Sequence, residues 1–129
     1  MRKKNYIIIV PGKAYAPHSR HALPYKNEIQ QIASRYINIP LTGRVDLRLE
    51  YLFRESKNRL DGDNLLKTFC DALKGIAYID DSQIHHHEVT LHNMGSSFTI
   101  RGVPLTDEVI DCFSQEAFTI VRLRIMNSK

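Results

Sequence analysis

Two aspartates one residue apart, Asp61 and Asp63, open the run DGDNLLK; Lys67 closes it, and a second acidic pair, Asp80 and Asp81, follows shortly after. Carboxylates are the natural ligands of Mg2+, a hard cation that takes oxygen donors, keeps several waters, and is held by one or two protein carboxylates plus substrate phosphate oxygens. In an extended approach to a helix, residues i and i+2 project toward the same side, so Asp61 and Asp63 suit that task. A third ligand has to come from elsewhere. Asp80 or Asp81, one helix length later, would supply it if the chain turns back toward the sheet. Lys67, one turn beyond Asp63, can reach a phosphate oxygen or the charge developing on a leaving group. The chemistry such a set performs is metal-assisted phosphodiester hydrolysis.

Each of these residues also has a purely structural reading. Aspartate at a helix start is a common cap, and Asp63 with Lys67 could form an i, i+4 surface pair worth only ~0.3 to 0.5 kcal/mol. Asp80-Asp81 could be a turn, and Asp71 could pair with Lys67 or Lys74 and orient them. Together these readings explain less than they do singly. Capping needs one aspartate, and four uncompensated carboxylates gathered in one place repel one another unless a cation intervenes.

The rest of the chain must position this set. At 129 residues, with 43% apolar and 25% charged residues, it is expected to form one domain spanning 1–129, with no repeat or low-complexity segment. Eighteen Lys and Arg against fourteen Asp and Glu give a net +4, and the bases cluster. Arg2, Lys3 and Lys4 open the chain, while Arg54, Lys57 and Arg59 lead into the acidic run, where a phosphate backbone could lie. The apolar run YIIIV after the first cluster is too short for a secretion signal or a membrane span and is expected to be a buried strand. Cys70 and Cys112 have no spacing that suggests a disulfide framework or a zinc site, which favours a reduced, cytoplasmic setting.

Periodicity predicts a first strand over 5–10, ended by Pro11-Gly12, and a polar loop with His18, Arg20 and His21 running to Pro24. A helix is expected from about Tyr25 to Tyr36. RVDLRLEYLF then alternates, with Val45, Leu47, Leu49, Tyr51 and Phe53 on one side and Arg44, Asp46, Arg48 and Glu50 on the other, as a half-buried strand does. A second helix is expected from about Asp63 to Ile76, with Leu66, Phe69, Leu73 and Ile76 as its apolar seam and Asp63, Lys67, Asp71 and Lys74 opposite. Gln83 to His92 reads as a strand of poor alternation. A short helix begun by Thr106 and a last strand, AFTIVRLRI, complete the chain. The mixture points to an α+β fold: a mixed sheet of about four strands, two main helices and a short C-terminal helix.

The run DGDNLLKTFCDALKGIAYIDDSQI resembles the central signature of the RusA family of Holliday junction resolvases: D-x-D-N-L-x-K, then D-A-L, then a D-D pair followed by a polar step and an apolar residue. The resemblance implies a small cytoplasmic homodimeric endonuclease, often phage- or prophage-borne, that nicks four-way DNA junctions with Mg2+ or Mn2+. By motif position it makes Asp61, Asp63 and Asp81 the metal ligands and Lys67 the essential lysine, with Asp80 as the ligand's neighbour. Arg54, Lys57 and Arg59 fall where the family places a basic approach for DNA. The segment 94–116 is longer than the family's usual step between the last two strands.

His85, His86 and His87 admit a transition-metal site formed by two of them with Cys70, Cys112 or His92. A surface or DNA-facing role is the plainer reading. The rival to a nuclease is a non-catalytic module of the same fold that binds branched DNA.

Overall fold

The computed structural model describes residues 5–126, so the basic cluster Arg2, Lys3 and Lys4 lies outside the described residues. Four strands, β1 (Asn5–Pro11), β2 (Arg44–Phe53), β3 (Ile84–Asn93) and β4 (Ala117–Met126), form one sheet in the order β1-β4-β2-β3. β4 is antiparallel to both β1 and β2, whereas β2 and β3 run parallel. The helices are α1 (Ala22–Ser34), α2 (Gly62–Leu73) and α3 (Asp107–Cys112). The architecture is the expected α+β one, with two long helices and a short third.

β2 forms as its alternation predicts. Val45, Leu47, Leu49, Tyr51 and Phe53 are all buried in the larger core, together with Ile8 and Val10 of β1 and Val121 and Leu123 of β4. α1 and α2 cover this face through Tyr25, Ile29, Leu65, Phe69 and Leu73. The α2 seam differs from the expected one: Leu65 is fully buried, while Leu66 and Ile76 are only partly so. Leu65 and Leu66 stand four and three residues before Phe69, and both spacings place a side chain on one helical face. α2 also ends earlier than expected, because Lys74 is extended and Gly75 takes a left-handed φ of 85°. α1 starts earlier than expected. Pro24 fits as its third residue, where no intrahelical N–H is required.

The opposite face is not simply solvated. Ile9, Leu52, Phe118 and Ile120 form a second core with Val109 and Cys112 of α3, joined by Met94, Ile100, Val103 and Phe113 from the 94–116 segment. That cover explains why Leu52, on the polar side of the β2 alternation, is buried. Asp46 on the same side is only 5% exposed, contrary to the expected polar face. The Thr106 hydroxyl starts α3 by accepting from the Val109 N–H at 3.3 Å.

The β2-α2-β3 crossover sets the geography of the acids. The ends of β1, β2 and β3 gather at one end of the sheet with the start of β4. α2 begins beside Val89, midway along β3, and delivers the chain to the start of β3 at the other end.

Candidate active site

Asp61 stands at the turn into α2, with extended backbone, and its carbonyl accepts the Leu65 N–H at 3.0 Å to close the first helical turn. Its side chain makes no capping bond. The carboxylate is 74% exposed and its one ion pair, to Arg59 at 3.3 Å, is a surface contact of little energetic weight. Gly62 packs the helix start onto β3, where an added Cβ would lie 3.4 Å from Val89 Cγ1. Asp63 occupies the first turn, where the positive end of the helix favours a carboxylate. Asp63 and Lys67 are both exposed, and among the described residues neither has an ion-pair partner. Neither the cap nor the i, i+4 pair is therefore realised, and Asp61, Asp63 and Lys67 remain open to a ligand on adjacent turns of one helix.

The second acidic pair divides its labour. Asp80 caps the 3-10 turn Asp81–Gln83: its carboxylate accepts the Ser82 N–H at 3.1 Å, while Gln83 Oε1 accepts the Asp80 N–H at 3.0 Å, closing a capping box. Lys74 Nζ lies 3.4 Å from Asp80 Oδ1. The Ser82 bonds, and then Lys74, hold the Asp80 carboxyl below the usual carboxylate range. Asp81 is exposed, and its carboxylate lies against the Tyr78 hydroxyl, which donates to the Cys70 carbonyl at 3.0 Å. Burial first, then Cys70 and Asp81, raise the Tyr78 pKa.

Asp81 thus sits level with Cys70 on α2. Cys70 is seven residues, about 10 Å along the helix axis, from Asp63. Within one chain the structure brings Asp61, Asp63 and Lys67 together but leaves Asp81 and Asp80 two turns away. Among the described residues no three His, Cys, Asp or Glu gather into a metal-holding group, the histidines of β3 included. The donor set nevertheless suits a hard cation. Two neighbouring carboxylates, neither engaged in capping, fit the pattern of a Mg2+ that completes its shell with water and phosphate oxygens.

The other residues singled out in the sequence have mixed roles. Asp71 pairs with Lys26 of α1 at 3.4 Å, tying the two helices together, rather than with Lys67 or Lys74. Arg54 is exposed, but its guanidinium donates to the carbonyls of Gln115, at 3.1 Å, and Phe113, fixing the turn after α3. Lys57 is exposed with Glu55 at 3.3 Å, whereas Arg59 leans on Asp61 of the acidic pair. Cys70 and Cys112 are free thiols whose pKa burial raises.

Two residues read from the sequence as packing, or not singled out, prove to position the site. The Tyr51 hydroxyl donates to the Asn58 carbonyl at 2.7 Å and accepts from the Ala14 N–H at 3.2 Å. Burial pushes its pKa up to about 12. Thr68, fully buried beside Lys67, donates to the Tyr15 carbonyl at 2.7 Å. Together they bind the loop after β1, with Lys13, His18, Arg20 and His21, and the basic loop 54–60 around the start of α2.

A search of curated proteins found no match. The family model for endodeoxyribonuclease RusA, however, matches residues 2–100 of the 129. The chain belongs to the RusA family. The match takes in β1, α1, β2, α2 and β3, and with them all of the acids discussed above, as well as Lys67 and the basic loop. It stops inside the 94–116 segment, so α3 and β4 lie beyond the RusA match, while Met94 and Ile100 of the covering fall within it.

Proposed function

We propose that this chain is a metal-dependent endodeoxyribonuclease that cleaves four-way DNA junctions as a homodimer. The observation that carries the reading is the exposed pair Asp61 and Asp63 at the start of α2, neither of them capping the helix, with Lys67 one turn on and, among the described residues, without an ion-pair partner. Mg2+, for which Mn2+ may be substituted experimentally, would be held by Asp61 and Asp63 and would supply Lewis acidity toward the scissile phosphate and water. Lys67 would hold its ammonium against the phosphate or the leaving oxygen, stabilising charge that develops there. The free N–H groups of the first turn of α2 favour an anion at the same place. Lys57 and Arg59 would contact the neighbouring backbone phosphates. No helix is long and apolar enough to cross a membrane among the described residues, and two free thiols suit a reducing, cytoplasmic setting.

The homodimer has its own support. β3 is an edge strand ten residues long, bonded on one side only, to β2. Such an edge is a template for pairing with another strand. Antiparallel pairing of two β3 edges around a two-fold axis brings the start of one strand, and Asp81 just before it, toward the end of the other. Gly62, between Asp61 and Asp63, packs on Val89 midway along β3, so a register centred toward the start of β3 would set a partner's Asp81 opposite Val89. A second copy in that register would complete the carboxylate set that one chain leaves divided, and the paired sites would mirror the symmetry of a four-way junction.

The test offers end-labelled four-way junction and linear duplex of the same sequence to the purified protein, with Mg2+ or with EDTA. The reading expects paired nicks in the junction, few in the duplex, and none in EDTA. Junction binding that survives EDTA with no nicks in Mg2+ would instead favour a non-catalytic module binding branched DNA.

A further inference from the structure

The sheet face opposite α1 and α2 holds a second basic site. Two adjoining hollows, of about 280 and 270 Å3, share Arg48 and Arg122 as their common wall. These two arginines are direct cross-strand partners on one face, an arrangement that like charges make unfavourable unless it is compensated. Acids at the floor provide the compensation. Glu50 meets Arg122 at 2.7 Å, while Asp46 and Glu88 meet Arg48 at 3.4 and 3.6 Å. The rim is different. Arg101 and Arg124 are exposed and, among the described residues, have no acidic partner. The roof is built to stay there: Gly102, at a left-handed φ of 73°, carries the chain across the Arg122 guanidinium, which donates to the Arg101 carbonyl. A Cβ at Gly102 would stand 3.2 Å from Arg122 Nη1. Among the described residues, the buried Arg122 Nε has no hydrogen-bond partner.

We infer that this groove is a second phosphate-binding track for DNA, with Arg101 and Arg124 contacting the backbone. The inference rests on the proposed action on branched DNA. It lies across the sheet from Asp61 and Asp63, where a separate arm of a branched substrate can pass while another arm meets the acidic pair. The floor's three carboxylates outnumber its two guanidiniums by one charge, and the two rim arginines more than offset it, leaving a surface that attracts phosphodiesters without demanding sequence. Arg101, Arg122 and Arg124 follow residue 100, where the RusA match stops, while Arg48 and the floor acids lie within it.

The test measures binding in EDTA, so that it does not depend on cleavage. Anisotropy of a labelled four-way junction is followed across roughly 50 to 200 mM salt for wild type, an Arg101→Gln/Arg124→Gln double variant and the matching double lysine variant. Because both side chains are exposed and unpaired, the glutamine variant should keep the wild-type melting temperature. It is expected to bind about tenfold or more weaker, with a slope of log K against log salt shallower by about two, and lysine should restore the slope. Wild-type affinity and slope in the glutamine variant would overturn the inference while leaving the nuclease reading intact. A wild type with no junction affinity would remove both.

Discussion

Lys67 stands exposed one turn from Asp63 and, among the described residues, has no acidic partner, so its charge does nothing for the fold. Replacing it by alanine should change stability by less than about 0.5 kcal/mol, as surface substitutions do. The same change should lower single-turnover junction cleavage by about 10² or more if the ammonium meets charge that develops in the reaction. Chemical denaturation and quenched-flow cleavage of one preparation measure both quantities. The second acidic pair yields the converse contrast. Asp80 caps the turn before β3 and Asp81 does not, so Asp80→Ala should lower the melting temperature and keep cleavage, whereas Asp81→Asn should lose cleavage. Because the folded-state pKa of Asp80 is depressed, its stabilising contribution is fully present above its unfolded value of 3.8 and is lost as pH falls through the folded value. Melting curves of wild type and Asp80→Ala should therefore converge in acid and separate toward neutrality.

At the level of elements, α2 is the piece that aims the chemistry, and its buried side differs in one position from a reading by periodicity. Leu65→Ala should cost about 2 to 5 kcal/mol and Leu66→Ala well under half of that, because Leu65 is sealed in the core and Leu66 is only half-buried. Urea unfolding of the two variants decides between the registers. Tyr51→Phe removes a hydroxyl that joins two loops and strands the Ala14 N–H in the interior, which should cost about 1 to 3 kcal/mol. Should the loops frame the DNA, this change should weaken junction binding more than it slows cleavage of bound junction. The order and type of the elements, and the acidic run with its lysine, are legible in the sequence because periodicity and motif are local. The burial of Leu52 is not, since it depends on the 94–116 segment folding over a face that alternation alone marks as polar. The engagement of Arg54 with the carbonyls after α3 is equally hidden, joining residues some sixty positions apart. β3 reads poorly for a related physical reason: as an edge strand with His85, His86, His87 and Glu88 all exposed, it has little alternation to display.

For the whole molecule, the parallel β2-α2-β3 crossover places Asp61 and Asp63 at one end of α2 and Asp81 near the other, and among the described residues no three such side chains gather. If β3 edges join two copies, mixing inactive Asp63→Asn with inactive Asp81→Asn should restore cleavage. The mixed dimer then contains one site with all three acids and one site lacking both, and about half of the protein should be mixed at equal input if subunits exchange freely. Failure of the mixture would place all the acids of each site in one chain. More direct still is the single-turnover rate of junction cleavage by wild type and Asp63→Asn at saturating Mg2+, with junction affinity measured on the same samples. If the acidic pair at the start of α2 is the nuclease centre, the variant should bind the junction as wild type does and cut it at least about 10³ times more slowly. Cleavage by Asp63→Asn at the wild-type rate would contradict that assignment.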